Sequence, residues 1–209
     1  MSDDLIFYTN PMSRGRIVRW MLEEVGEPYQ TQIMDYATTL KGADYLAINP
    51  MGKVPALRHG DMVVTEAAAI CAYLADAFPQ KGLAPPLGDK RRGTYFRWLF
   101  FAAGPIEQAT SVRTLGVEIK PEQKRMMGFG DMADTLNAME SAIAGRNYIL
   151  GDAFSAADVY FGSQVSWGLQ FGSLEKRPSF GAYAERLHAR PAYQRANELD
   201  NAAMAAASG

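Results

Sequence analysis

Two short stretches hold the residues whose types and spacing most suggest chemistry. The first stretch, residues 52–57, contains a short apolar strand over 54–57 that includes Pro55, and the second stretch begins at Thr65 and Glu66. Because proline has no N–H to give to a sheet, Pro55 is expected at an edge or a special turn, where a cis bond is acceptable. Thr65 is expected to cap a helix whose first turn carries Glu66. This arrangement offers free main-chain groups and an anion site, which suits a short zwitterionic peptide.

The elements that must position these residues follow from the hydrophobic pattern of the first 80 residues. Ser13 is the predicted N-cap of the first helix, and Gly26 is expected to end it. The order β-α-β-α-β-β-α predicts a parallel pair joined by a crossover helix and extended by an antiparallel hairpin. The predicted strands cover 5–9, 29–34, 54–57 and 62–64, and the two later helices cover 41–47 and 66–77.

The rest of the chain reads as helix. Prolines and glycines between residues 79 and 92 mark the best linker. Gly104-Pro105 is expected to kink or break the first helix after it, and Ser155 with Asp158 predicts a capping box. The alanine-rich end, 201–209, is expected to fray. Helices are predicted over 91–103, 131–144, 155–171 and around 180–187.

Composition excludes several classes of protein. The 209 residues are 48% apolar and carry a net charge of −2, so the chain can bury a core and has no basic face for nucleic acid. We expect no membrane span and no signal peptide, because no apolar run is long enough and the acidic N-terminus leads into a strand. One cysteine, Cys71, allows no internal disulfide, and with only His59 and His188 it makes no convincing zinc site. A cytoplasmic protein without a metal is therefore expected.

The pattern as a whole resembles the cytosolic glutathione S-transferases, and the bacterial members in particular. The resemblance is carried by Val54-Pro55 before a hairpin and by Thr65-Glu66 at the start of the third helix. The sequence segments 10–14 and 19–24 and the capping box at 154–158 also contribute to it. It implies an α/β thioredoxin-like N-terminal domain (βαβαββα) over residues 1–80, which binds glutathione. A linker over 81–90 and an all-α helical bundle over 91–209, which contributes the electrophile site, would follow.

The resemblance also implies a group that favours the glutathione thiolate. A free thiol is only a few per cent ionised at neutral pH, and a hydroxyl donor beside a helix N-terminus raises that fraction. Ser13 lies between the first strand and the first helix and is the candidate catalytic residue, although its hydroxyl would serve equally as an N-cap. Asn10, Tyr8 or a main-chain N–H are the alternatives.

Glutathione itself would be held by the opening stretches. The family resemblance implies that main-chain groups of Val54 pair with the cysteinyl part, beside a cis Pro55. Glu66 would bind the α-ammonium group, and the N–H of Ala67 would bind the carboxylate of the γ-glutamyl end. Lys53 would bind the glycyl carboxylate, and Lys41 is a weaker candidate for the same role. The family usually has serine where this chain has Ala67, so one hydroxyl contact is missing.

The resulting hypothesis is a homodimeric glutathione transferase that conjugates glutathione, its co-substrate, to small hydrophobic electrophiles. Tyr95, Trp98 and Phe101 are candidates for the electrophile site, although aromatic residues at helical spacing more often belong to a core. A glutathione-dependent peroxidase, dehalogenase or isomerase on the same scaffold is the enzyme alternative. A non-catalytic protein that binds glutathione or hydrophobic ligands is the alternative from another class. Cys71 is expected to be a buried core residue.

Overall fold

The computed structural model describes residues 4–207, which form two compact units. Of the described residues, one unit contains 4–81 together with 189–207, and the other contains 82–188. The predicted division at 81–90 stays a prediction, but the C-terminal helix lies in the same unit as the sheet. Within the described residues, no helix combines the length and the apolar character that crossing a bilayer requires.

The elements of the first unit follow the predicted order. In chain order they are β1 (Leu5–Thr9), α1 (Gly15–Val25), β2 (Tyr29–Ile33), α2 (Ala43–Leu46), β3 (Ala56–His59), β4 (Met62–Thr65) and α3 (Ala67–Ala77). The strands form one mixed sheet in the order β2-β1-β3-β4, in which β1 is parallel to β2 and antiparallel to β3. The predicted thioredoxin-like arrangement is confirmed.

Strand β1 is buried on both faces, which explains its uninterrupted apolar sequence. Ile6 and Tyr8 pack in a cluster with Tyr45 of α2 and with Met34. Between them in sequence, Phe7 turns to the opposite face, because successive side chains of a strand alternate. The centre of the sheet is therefore covered on both sides at β1, whereas β2 and β4 at its edges are largely exposed.

The second unit is helical. Its helices are α4 (Arg91–Phe101), α5 (Glu107–Thr114), α6 (Met132–Ile143), α7 (Ala156–Phe171) and α8 (Pro178–His188). The expected break at Gly104-Pro105 is instead a π-helical segment, Ala102–Ile106, which joins α4 to α5. The wider π-turn accommodates the missing N–H of Pro105 without ending the helix. The helix over residues 107–114 was not predicted.

After α8 the chain returns to the first unit as α9 (Pro191–Ala207), which packs antiparallel on α1. The helix extends through most of the segment that was expected to fray. The buried guanidinium of Arg19 lies 3.1 Å from a carboxylate oxygen of Asp200. Toward the other end of α1, Trp20 meets Tyr193 edge to face, and Glu24 accepts two hydrogen bonds from Arg190.

The capping box of α7 is confirmed. Asp158 is completely buried and accepts hydrogen bonds from the N–H and hydroxyl of Ser155, from the N–H of Ile149 and from the hydroxyl of Tyr183. Burial raises the pKa of Asp158 to about 6, although all these donors oppose the shift. One carboxylate therefore joins the start of α7 to the preceding loop and to α8.

Replacing this carboxylate by an amide should destabilise the protein. In Asp158→Asn, one oxygen becomes an NH₂ group that faces buried donors, so we expect the free energy of unfolding to fall by about 3 kcal/mol. Urea denaturation measures the change. Asp152→Asn is the matched control, because Asp152 is exposed and its carboxylate accepts from the side chain of Asn147 rather than from buried donors. A similar loss in both variants would contradict the role of Asp158.

Candidate functional site

The residues singled out from the sequence converge at one end of the sheet. Tyr8 near the end of β1 pairs with Ala56 at the start of β3, and Ala56 pairs with Thr65 at the end of β4. The loop after β1, the segment before β3 and the start of α3 therefore meet at the same edge. An open end of a sheet is where α/β proteins usually bind ligands.

A hydrogen-bonded loop joins β1 to α1. The Ser13 hydroxyl donates to the Asn10 carbonyl oxygen over 2.6 Å and accepts from the N–H of Gly15 over 2.9 Å. The side chain of Asn10 donates to the Met34 carbonyl and accepts from the N–H of Met12. Asn10 thus fixes the loop to the end of β2, and in this structure the proton of Ser13 is directed at a main-chain oxygen.

The start of α1 differs from the sequence-based expectation. Its N-cap is Arg14, without a side-chain capping bond, rather than Ser13. The Ser13 hydroxyl still accepts from the N–H of Gly15, as the side chain of a cap does. The predicted cap position was therefore wrong by one residue, but the predicted capping bond of the Ser13 hydroxyl is present. Tyr8, an alternative thiol donor, is 4% exposed and its ring packs on Tyr45.

Gly15 is required by a close approach between helix and strand. A Cβ placed on Gly15 would overlap the side-chain oxygen of Thr9 and meet the Ser13 hydroxyl. Thr9 is fully buried at the end of β1. A larger residue at position 15 would push the start of α1, and with it the Ser13 loop, away from the sheet.

Val54 and Pro55 precede β3 and lie outside the paired residues of the sheet. The peptide bond between them is cis, as predicted. Their position is fixed through the carbonyl oxygen of Lys53, which accepts from the Tyr45 hydroxyl over 2.7 Å and from the Asn49 amide over 2.8 Å. Tyr45 and Asn49 are positioning residues that the sequence reasoning missed, although Asn49-Pro50 is a common signal for a turn.

Lys41 and Lys53 are exposed on the same side of this segment. Lys41 donates to the Met51 carbonyl over 2.8 Å. Gly52 makes this contact possible: its φ is +56°, and a Cβ there would collide with the Leu40 carbonyl and the Lys41 amine.

Glu66 has the most unusual backbone of the described non-glycine residues, with φ 68° and ψ 118°. It is the N-cap of α3, so two expectations were wrong: Thr65 is not the cap but the last residue of β4, and Glu66 precedes the first turn. Among residues 4–207 its carboxylate has no hydrogen-bond or ion-pair partner. Ala67, the first residue of α3, is buried. A strained residue that exposes an unused charge is typical of a binding site.

An open groove of about 410 Å³ runs along this edge of the sheet. It brings together three of the predicted residues, Ser13, Lys53 and Val54, together with Lys41. Glu66 is not among its lining residues, but it directly follows Thr65, which pairs with Ala56 in the hairpin. Sequence reasoning missed the other lining residues, namely Met12, Arg14, Tyr36, Leu40 and Gly52.

Other candidate residues are accounted for by packing. Cys71 is fully buried, and burial raises the pKa of its thiol far above the usual range, so it is not a nucleophile at neutral pH. Tyr95 and Trp98 are buried within the helical unit, where Trp98 packs on Phe161, which corrects their candidacy for the electrophile site. Within the described range, no three His, Cys, Asp or Glu side chains cluster as a metal site.

The class is that of two-unit proteins in which a helical unit follows a thioredoxin-like domain with a groove at the end of its sheet. Comparison with known proteins identifies the family. The model for "Glutathione S-transferase, N-terminal domain" matches residues 12–77. Glutathione S-transferase GstA of Escherichia coli O157:H7 is 30% identical over 155 residues, which cover 73% of this chain and 76% of that protein. The chain therefore belongs to the glutathione S-transferase family, and the predicted enzyme class is confirmed.

Solved structures agree with this assignment. A glutathione transferase from Methylococcus capsulatus is 32% identical, with a TM-score of 0.78 over 94% of this chain and 98% of that one. A sphingomonad glutathione S-transferase, solved in complex with glutathione, is 29% identical with a TM-score of 0.75 over 94% and 98% of the two chains.

The strain at Glu66 can be measured directly. Glycine adopts positive φ without a steric penalty, so we expect Glu66→Gly to be more stable than Glu66→Ala by about 1 kcal/mol. Both variants lose the carboxylate, so the difference in free energy of unfolding reports the backbone alone. The same pair at exposed Asp61, whose φ is not positive, should show the opposite order. Equal stabilities of the two Glu66 variants would contradict the assigned strain.

Proposed function

We propose that this chain binds glutathione in the groove beside Ser13 and transfers it, as the thiolate, to small hydrophobic electrophiles. The observation that carries the proposal is the meeting of Ser13, Val54 and Lys53 along one groove at the end of β1. A homodimer in the cytoplasm, without a metal, completes the proposal. The helical domain would supply the electrophile site.

The charges at the groove suit the two ends of glutathione. Lys41, Lys53 and Arg14 are among the groove's lining residues, and cations there would attract the glycyl carboxylate. Glu66, whose carboxylate has no partner in the described part of the chain, would take the α-ammonium group of the γ-glutamyl end. The N–H of Ala67 opens α3 and would face the carboxylate of that end, where the helix dipole favours negative charge.

The middle of the peptide would meet the main chain. Val54 lies outside the sheet ladder, so its N–H and C=O are available to pair with the cysteinyl residue. This pairing would direct the thiol toward the loop before α1. Holding thiol and electrophile together makes the reaction effectively intramolecular, which is a large part of the catalysis that such a conjugation needs.

Activation of the sulfur would require one change at Ser13. Its hydroxyl now donates to the Asn10 carbonyl, and rotation about the side chain would redirect that proton to a thiolate. A charge-assisted hydrogen bond to the thiolate is stronger than a neutral one to a carbonyl, so the exchange is favourable only when sulfur is ionised. Stabilising the thiolate in this way lowers the pKa of the bound thiol.

Ala67 is the observation that favours the second candidate function, a non-catalytic binding protein. It lacks the hydroxyl that the family usually places beside the γ-glutamyl end, so glutathione would bind with one fewer hydrogen bond. If the chain only bound glutathione or hydrophobic ligands, immobilised glutathione would retain it but no electrophile would be consumed. Retention together with turnover of a chromogenic aryl halide is the expected result. Failure to bind glutathione at all would overturn the proposal.

Removing the Ser13 hydroxyl should affect chemistry more than binding. For Ser13→Ala we expect kcat to fall by about tenfold to a hundredfold, with less than a threefold change in glutathione Kd, since the donor acts mainly on developed charge. Steady-state kinetics and calorimetric titration separate the two effects. Ser141→Ala, an exposed helical serine of the other unit, is the control. Unchanged kcat would transfer the role to Asn10, Tyr8 or a main-chain N–H.

Removing the carboxylate at position 66 should affect binding instead. We expect Glu66→Gln to weaken glutathione binding by about tenfold, because a charged hydrogen bond to the ammonium group becomes neutral. The kcat at saturating glutathione should stay within about twofold of the parent. An unchanged Kd would show that the start of α3 alone holds the γ-glutamyl end.

A further inference from the structure

One arginine joins the loop that carries Ser13 to the C-terminal helix. The Nε of Arg16 donates to the Pro11 carbonyl over 2.6 Å, inside the loop. The backbone N–H of Arg16 also bonds the Ser13 carbonyl, at 3.3 Å. Two carbonyl groups of a three-residue loop are thus held by one residue in the first turn of α1.

The other end of the same guanidinium is fixed by α9. Its Nη1 donates to the Asn197 side chain at 3.3 Å, and its Nη2 contacts the Asn201 amide oxygen at 2.9 Å and the Met204 sulfur at 3.0 Å. Asn197 is oriented in turn, because its Nδ2 donates to the Tyr193 carbonyl. The three acceptors are spaced four and three residues apart and so lie on one face of the helix.

The planar fork of an arginine suits this bridge. Its donors diverge at fixed angles, so the direction of the Nε–H bond to the loop depends on where the terminal nitrogens are held. A lysine in its place has a single nitrogen and cannot reach the loop and both amides together. Arg19, Trp20, Glu23 and Glu24 of α1 also contact α9 or the residue just before it, and these contacts do not involve residues 11–13.

We propose that Arg16 is a positioning residue, which fixes the Pro11–Ser13 loop relative to α1 through its bonds to Asn197 and Asn201 of the C-terminal helix. The inference rests on the proposed function, in which that loop presents the Ser13 hydroxyl to the glutathione sulfur. The C-terminal helix would thereby act on the reaction without contacting substrate.

The test uses the full-length chain and removes the amide acceptors rather than the arginine. Asn197→Ala/Asn201→Ala should fold, because Asn201 is exposed, Asn197 is half-buried, and alanine is the better helix former. We expect kcat/KM for glutathione to fall about tenfold and the acidic limb of its pH profile to move up by about half a unit, as loop misplacement weakens thiolate stabilisation. The KM for the electrophile should not change.

Two further variants separate positioning from general loss of packing. The variant Asn197→Ala/Asn201→Asp keeps one acceptor for Arg16. It should therefore recover at least half of the kcat/KM that the double alanine variant loses. Arg190→Gln breaks the pair with Glu24 at the far end of the same helix contact, so it should lower the melting temperature without shifting the pH profile. Arg16→Lys should behave like the double variant.

The outcomes distinguish this inference from the proposal on which it rests. If the parent chain turns over glutathione and the double variant matches it in rate and pH profile, the role of Arg16 is overturned and the proposed function stands. The same holds if Arg190→Gln reproduces the full effect. If the parent chain neither binds nor uses glutathione, the proposed function itself fails.

Discussion

The pairing of β1 with both of its neighbours is the constraint on which the candidate site depends. Because β1 lies between β2 and β3, the loop that leaves its carboxyl end is flanked by chain on two sides. Met34 anchors Asn10 from the β2 side, and Ala56 carries Val54 and Pro55 from the β3 side. Shifting this register by one residue would turn every side chain of β1 to the other face and would separate these groups.

A second constraint is the contact of α1 with α9. The buried pair between Arg19 and Asp200 is not strong evidence of stability, because desolvation of two charges offsets much of their attraction. Its geometry is specific, however, since Arg19 also donates to Thr31 on β2 and lies over the ring of Phe7 on β1. One side chain thus fixes the rotation of α1 against both the sheet and the C-terminal helix, and the start of α1 is where the site begins.

Much of this arrangement could be predicted from sequence because it is encoded locally. Apolar periodicity located the strands and most helices, and the capping box at Ser155 depends only on residues a turn apart. The cis bond at Pro55 and the position of Ser13 followed from short motifs. Errors at Thr65 and Glu66 had one cause: helix propensity does not foresee a residue held at positive φ by its surroundings.

Long-range partners could not be predicted. Nothing near Lys53 in the sequence indicates that its carbonyl is held by Tyr45 as well as Asn49, and nothing near Arg16 points to residues 181 and 185 positions away. The alanine-rich end has high helix propensity, but its role as a packed helix depends on α1 being there to receive it. Contacts of this kind arise only when the chain has folded back on itself.

The resting hydrogen bond of Ser13 has a consequence for what leaves the groove. On the proposed mechanism, the Asn10 carbonyl competes with the ligand sulfur for a single proton. A thiolate is a stronger acceptor than the Asn10 carbonyl, because its charge strengthens the hydrogen bond. The thioether of a conjugate is a weaker acceptor than that carbonyl. The hydroxyl would return to Asn10 once the new carbon–sulfur bond has formed. On this mechanism the loop would distinguish reactant from product by charge alone. A conjugate would then leave a site in which the Ser13 hydroxyl is again bonded to the Asn10 carbonyl.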